Sequence, residues 1–174
     1  MKAKLDERAK SLLLLALILF LSDFALKLYV NNSLPKVGVL HPVYPFGGIA
    51  VFKGFAGIDF SIVHATNKGA AWGLFAHFQS MLMALRFVVA GGITVYTLFW
   101  NNEKPRQIPL TLILAGAYAN ILDFFVYGHV VDMFNFKLWG YSYPVFNLAD
   151  SYIFLGVVAL LWQAFITKKS TSSA

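Results

Sequence analysis

No cysteine occurs among the 174 residues, which excludes disulfides, thiolate catalysis and cysteine-based metal sites. Charge is scarce as well: 13% of residues are Asp, Glu, Lys or Arg, against about 25% in an average soluble domain. The four histidines, His41, His64, His77 and His129, never fall in an H-E-x-x-H spacing. A zinc protease is therefore not expected, and a surface or packing role suits each of them. No G-x-S-x-G elbow is present, and the nearness of Ser22 to Lys27 is weak evidence for a Ser–Lys pair. There is no internal repeat and no long disordered stretch. The first apolar run carries Asp23 and Lys27, and no small-residue cleavage site closely follows it, so it does not read as a cleavable signal.

What remains is apolar. Hydrophobic residues make up 59% of the chain, which places it in the membrane class. Four stretches have the roughly 20-residue length that a spanning helix needs: about 11–30, 80–100, 108–127 and 147–166. Between the first two, about 31–67, lie asparagines, Pro35 and several glycines, with I-D-F-S-I-V-H-A at Ile58 to Ala65 alternating as a strand does. A small sheet on the membrane surface is expected there, and a second, aromatic-rich loop from Gly128 to Phe146. The expected fold class is an all-α integral membrane protein: four transmembrane helices with a small extracytoplasmic β-sheet cradle. Residues 1–174 form one membrane-embedded domain in this reading.

The net charge of +6 does not point to nucleic acid. Lys2, Lys4, Arg8 and Lys10 precede the first span, Lys104 and Arg106 sit in the short turn after the second, and Lys168 and Lys169 follow the fourth. The opposite side has Lys36, Lys53, Lys68 and Lys137, mostly spread over a long loop. By the positive-inside rule both termini face the cytoplasm, and the sheet and the aromatic loop face outward.

That topology puts the costly polar groups at one depth. Asp23 and Lys27 fall in the outer half of span one and Asn120 and Asp123 in the outer half of span three. Asp132 comes just past that span, and Asn147 and Asp150 open span four. Ionisable groups at membrane depth cost about 2.5–3.5 kcal/mol each and read as functional by default. Asp23 and Lys27, four residues apart, can pair on one helix face, and an ion pair that orients span one is the plainer reading of them. Asn120 and Asn147 each precede an Asp by three residues and can donate to its carboxylate. Interhelical hydrogen-bond glue is the competing reading. Arg86, deeper in span two, is given no role. Two carboxylates brought close in a partly dry site share a proton, which is the arrangement of an aspartic protease. Asp150 is one member. Spacing leaves Asp132 and Asp123 open as its partner, and the loop position of Asp132, with its access to water, favours it.

These residues also carry a family resemblance. D-x-x-x-K at Asp23 and Lys27, N-K-G-A-A-W-G at Asn67 to Gly73, and G-A-Y-A-N-I-L-D at Gly116 to Asp123 come in order. G-H-V-V-D-M at Gly128 to Met133 and F-N-L-A-D-S at Phe146 to Ser151 follow. Together they resemble lipoprotein signal peptidase, the type II signal peptidase of bacteria. The resemblance implies an intramembrane aspartyl endopeptidase that cuts diacylglyceryl-modified prolipoproteins before the lipidated cysteine, in the bacterial inner membrane. It implies Asp132 and Asp150 as the catalytic pair, with Asp23, Lys27, Asn67, Gly69, Asn120, Asp123 and Asn147 in support or substrate binding. It further implies no metal or cofactor, inhibition by globomycin-type cyclic peptides, and contact with membrane lipid. A monomer is expected because one chain supplies the site. The chain departs from the family pattern at Phe124, where Arg is usual, at Ala119 and Trp72, and in a longer first loop containing H-P-V-Y-P-F-G-G.

Two rival classes are a proton- or ion-coupled carrier and an assembly subunit. A carrier should spread its acids through the bilayer as a relay; here they gather at one face. Three acids and a lysine are costly glue for a scaffold.

Overall fold

The computed structural model describes residues 7–38, 40–68 and 78–171. Four helices dominate: α1 (Glu7–Ser33), α2 (Gln79–Val95, prolonged by a π-helical turn, Tyr96–Trp100), α3 (Lys104–Tyr127) and α4 (Leu148–Thr171). All four are long and apolar enough to cross a membrane. The fold class is the one the sequence led us to expect. Half of the apolar stretch of α3 is buried, against 11% in each of the others, so α3 is the central helix and packs against α1, α2 and α4. The outward faces carry Leu13, Leu17, Leu21, Val88, Phe154 and Leu161, exposed as lipid-facing side chains are.

Between helices the chain makes one four-stranded antiparallel sheet in the order β1 (Ile49–Phe55), β2 (Ile58–Asn67), β3 (Val130–Leu138), β4 (Tyr141–Ser142). The first two strands lie between α1 and α2, the last two between α3 and α4. Sheet and helix ends therefore meet on one side of the bundle, with the α2–α3 turn and the start of α1 on the other. Arg8 confirms that pairing of ends, its guanidinium donating to the Lys104 carbonyl at 2.9 Å. One expectation needs correction. The segment from Gly128 to Phe146 is not merely an aromatic loop, and Asp132 is not a loop residue: it lies on β3, opposite Ala65 of β2.

Local chemistry explains the joints. Gly128 ends α3 in the left-handed conformation (φ 73°), its N–H donating to the Phe124 carbonyl at 3.0 Å, and so turns the chain into β3. Pro109 inside α3 cannot donate to the Pro105 carbonyl; Gln163 of α4 donates to it instead, at 3.0 Å. At Gly116 a Cβ would come within 2.4 Å of the Ala149 carbonyl oxygen. This close approach draws α3 against α4 one turn below Asn120.

Candidate active site

The site is built around the first turn of α4. Asn147 precedes the helix; its Oδ1 accepts the Asp150 N–H at 2.9 Å, and its own N–H donates to Asp150 Oδ2 at 3.2 Å. This reciprocal pair satisfies one orphan donor of the helix and fixes the Asp150 carboxylate at once, as a capping box does. The Ala149 N–H donates to Asp23 Oδ1 at 2.8 Å, so α1 caps the same turn. The positive end of a helix faces a carboxylate at this position.

Strand β3 brings the second carboxylate. Phe134 and Phe146 form an antiparallel bridge, with Phe134 N–H donating to the Phe146 carbonyl at 2.8 Å. That bridge sets Asn147 beside Asp132: Asn147 Nδ2 donates to Asp132 Oδ1 at 2.8 Å, while Asn67 Nδ2 from β2 donates to Asp132 Oδ2 at 3.0 Å. One asparagine thus holds both carboxylates, Asp132 by its amide and Asp150 by its backbone N–H. Burial, and then the negative charge of Asp150, push the Asp132 carboxyl up from an ordinary 3.8 to about 7. The two amide donors and Lys27 pull the other way without offsetting this.

Beneath the pair lies a fully buried charge cluster. Lys27 Nζ forms ion pairs with Asp23 Oδ2 at 2.7 Å and Asp123 Oδ2 at 2.8 Å and donates a hydrogen bond to Asn120 Oδ1 at 2.8 Å. Asp123 also accepts the Val131 N–H at 3.2 Å, joining α3 to β3. Asn120 does not serve Asp123, its neighbour in sequence. It donates across to Asp150 Oδ1 at 2.8 Å and accepts from Asn147 Nδ2 at 3.0 Å. The lysine, two asparagines and four aspartates form one connected network from α1, α3, β3 and α4, with Asn67 joined from β2. Ser22 is committed elsewhere, to the Leu19 carbonyl and the Tyr152 hydroxyl. Gly69 lies outside the described residues. The network thus ties two carboxyl groups, Asp132 and Asp150, to one asparagine, and a pair of carboxyls in different protonation states is what acid–base hydrolysis requires.

Residues 15–166 match the family model for signal peptidase (SPase) II. The chain belongs to the signal peptidase II family. It is 34% identical to the lipoprotein signal peptidase of Chlamydia pneumoniae over 169 residues, which are 94% of this chain and 96% of that one. It is 33% identical to the lipoprotein signal peptidase of a Synechocystis species over 144 residues, 83% of this chain and 81% of the other. A solved structure described as a bacterial membrane enzyme superposes with a TM-score of 0.76, covering 93% of this chain and 91% of its own, at 22% identity. The last of these speaks for the fold. Family and helices together make the chain a multi-pass peptidase of the bacterial inner membrane.

Within this signal peptidase family member, Phe124 stands where the motif usually has Arg, and it packs against Met83, Ala90 and Ile121 on the α2 side. Sequence reasoning missed the strand character of β3, although F-N-F-K-L at Phe134 to Leu138 alternates with period two. It also missed Phe146 as the bridge that aligns Asn147, for which the sequence carries no signal beyond the aromatic residue itself.

Proposed function

We propose that this peptidase removes the signal peptide from diacylglyceryl-modified prolipoproteins, cutting before the lipidated cysteine, with Asp132 and Asp150 as its catalytic pair. The observation that carries the reading is the single asparagine, Asn147, bonded to both carboxyl groups. Asp150, at the helix N-terminus, is the anion and takes a proton from water as the hydroxyl adds to the scissile carbonyl carbon. Asp132 gives its proton to the carbonyl oxygen. When the C–N bond breaks, Asp150 returns its proton to the leaving nitrogen and Asp132 recovers one from the collapsing diol, so one water is consumed. Asn67, Asn120 and Asn147 orient the pair; Asp23, Lys27 and Asp123 support it from below. No metal or cofactor takes part, and a single chain acts as one domain and as a monomer. Both termini face the cytoplasm and the site opens at the outer face. A globomycin-type cyclic peptide would compete with the precursor at the same carboxyl pair.

Names of the relatives support the substrate class. So does the surface beside the pair. Asp132, Phe134 and Phe136 alternate onto one face of β3, where Phe60 stacks on Phe136 at 4.2 Å and Phe146 packs on Phe134 at 5.5 Å. An apolar shelf leads away from the catalytic carboxyl, as a lipid-bearing substrate needs.

The test compares a prolipoprotein with and without the diacylglyceryl group, using purified protein in detergent and mass spectrometry of both products. Cleavage of the modified precursor alone, with the lipidated cysteine as the new N-terminus, is expected. Equal cleavage of both, or a cut elsewhere, contradicts the reading. A pH dependence follows from Asp132. A carboxyl raised to about 7 keeps its proton below that pH and loses it above, so kcat/KM falls on the alkaline side, by about tenfold per pH unit. A profile that stays flat well into alkaline pH contradicts the shared proton.

A further inference from the structure

Residues 42–46 of the first loop, which make none of the hydrogen bonds to Asp132 or Asp150, roof a cavity. Residues 42–46 fold over the sheet, pinned by the Tyr44 hydroxyl, which lies 2.8 Å from the Phe52 carbonyl oxygen and 2.9 Å from that of Phe60. Under them is a cavity of about 320 Å³ whose wall includes Tyr44, Phe46, Lys53, Asp59, Asn135 and Lys137. Asp59 lies opposite Lys137, and Ser61 opposite Asn135, in the register of β2 and β3, so these polar groups share one face. By strand alternation that face is the reverse of the one bearing Asp132, and Lys137 lies about 17 Å along the strand from it. The scissile segment of a substrate held at the dyad is therefore on the other side of the sheet.

The charges are open to a ligand. Among the described residues neither Lys53 nor Lys137 forms an ion pair. Lys53 Nζ sits 5.5 Å from the Tyr44 ring centre. Asp59 is partly engaged, its Oδ1 accepting the Gly54 N–H at 2.7 Å. Asn135 Nδ2 donates to Ser61 Oγ at 3.1 Å, which leaves it a second N–H. Around the cavity the exposed side chains are apolar: Val43 is 74% exposed, Phe55 72% and Trp139 76%. Lys53 lies two residues before Phe55 and Lys137 two before Trp139. Aromatic side chains left bare on a sheet at the ends of the spanning helices suit the headgroup layer, and a lysine within that layer is attracted to anionic lipid.

We infer that this cavity is a binding site for the headgroup of an anionic phospholipid, with Lys53 and Lys137 on its phosphate, Asn135 as a further donor, and Val43 and Phe46 against its glycerol and upper acyl carbons. The site tethers the sheet to the bilayer on the side away from the dyad.

The experiment uses the full chain, purified in detergent and offered phosphatidylglycerol, phosphatidylcholine or soluble glycerol phosphate, with bound molecules counted by native mass spectrometry. Wild type is expected to retain phosphatidylglycerol over phosphatidylcholine, and each of K53Q and K137Q to weaken that retention about fivefold. Lys10→Gln, at the other end of α1, is expected to leave it unchanged. Precursor cleavage in lipid-free detergent is expected to be the same in K53Q/K137Q as in wild type, which separates this site from the catalytic reading. Retention of phosphatidylglycerol unaltered in K53Q/K137Q overturns the proposal. So does glycerol phosphate binding as tightly as the lipid, or a K53Q/K137Q effect on the precursor's KM with lipid retention intact.

Discussion

Asp150→Asn and Asp132→Asn should each lower the rate of precursor cleavage by about 10,000-fold, the upper range for a positioned acid–base group, while both variants stay folded. The loss is large because the two carboxyls act as a unit. Without Asp150 no base takes the proton of water; without Asp132 no acid protonates the carbonyl oxygen. The fold survives because an asparagine keeps an oxygen where each aspartate had one. At 150 that oxygen can still accept from Asn120 Nδ2 or from the Asn147 N–H, and at 132 from Asn67 or Asn147. The double variant D132N/D150N should be no slower than either single one, since removing half of a cooperating pair already removes its function. Cleavage kinetics with matched amounts of folded protein check this. A double variant slower than both singles by the product of their effects would show that the two residues work independently.

Lys27→Met should destabilise the protein by about 3–5 kcal/mol. Lys27, Asp23 and Asp123 are all buried, at 0%, 0% and 1% side-chain exposure. Removing that cation leaves two buried carboxylates without a counter-charge, each held only by a backbone N–H, Ala149 on Asp23 and Val131 on Asp123. It also removes one of the two donors to Asn120 Oδ1, leaving Asn147 Nδ2, and so loosens the amide that donates to Asp150; cleavage per folded molecule falls as well. Thermal unfolding in detergent measures the first effect and cleavage the second. The triple change D23N/K27M/D123N, which removes the charges together, should recover part of the lost stability, because the cost lies in the stranded charges. If Lys27→Met melts like wild type, the Lys27 ion pairs with Asp23 and Asp123 do not hold α1 to α3.

Much of this was legible from one sequence, and for physical reasons. Apolar runs of spanning length leave few options for their backbone other than helix, so four helices followed from the composition of four stretches. The convergence of Asp23, Lys27, Asn120, Asp123, Asp132, Asn147 and Asp150 followed from their distance along each span, because helical rise converts residue number to depth. Partners were harder. Asn120 and Asp123 share a helix face, which suggested a local pair. The contact with Asp150 exists because Gly116 lets α4 approach, and no spacing within α3 reports that. The longer strand of the second loop is masked by its aromatic content: Phe134 and Phe136 read as a membrane-surface loop until their alternation is weighed. The 42–46 loop gave no sign that it would roof a cavity, since Tyr44 reaches backbone carbonyls that any sequence would supply.

The central claim is that the partner of Asp150 is Asp132 on β3, and not Asp123 within α3. The measurement that tests it most directly is conversion of a diacylglyceryl-modified precursor by wild type, Asp132→Asn and Asp123→Asn at equal folded concentration. The account predicts cleavage by Asp123→Asn and none by Asp132→Asn. Cleavage by Asp132→Asn with none by Asp123→Asn would contradict it and move the catalytic pair into the buried cluster beside Lys27.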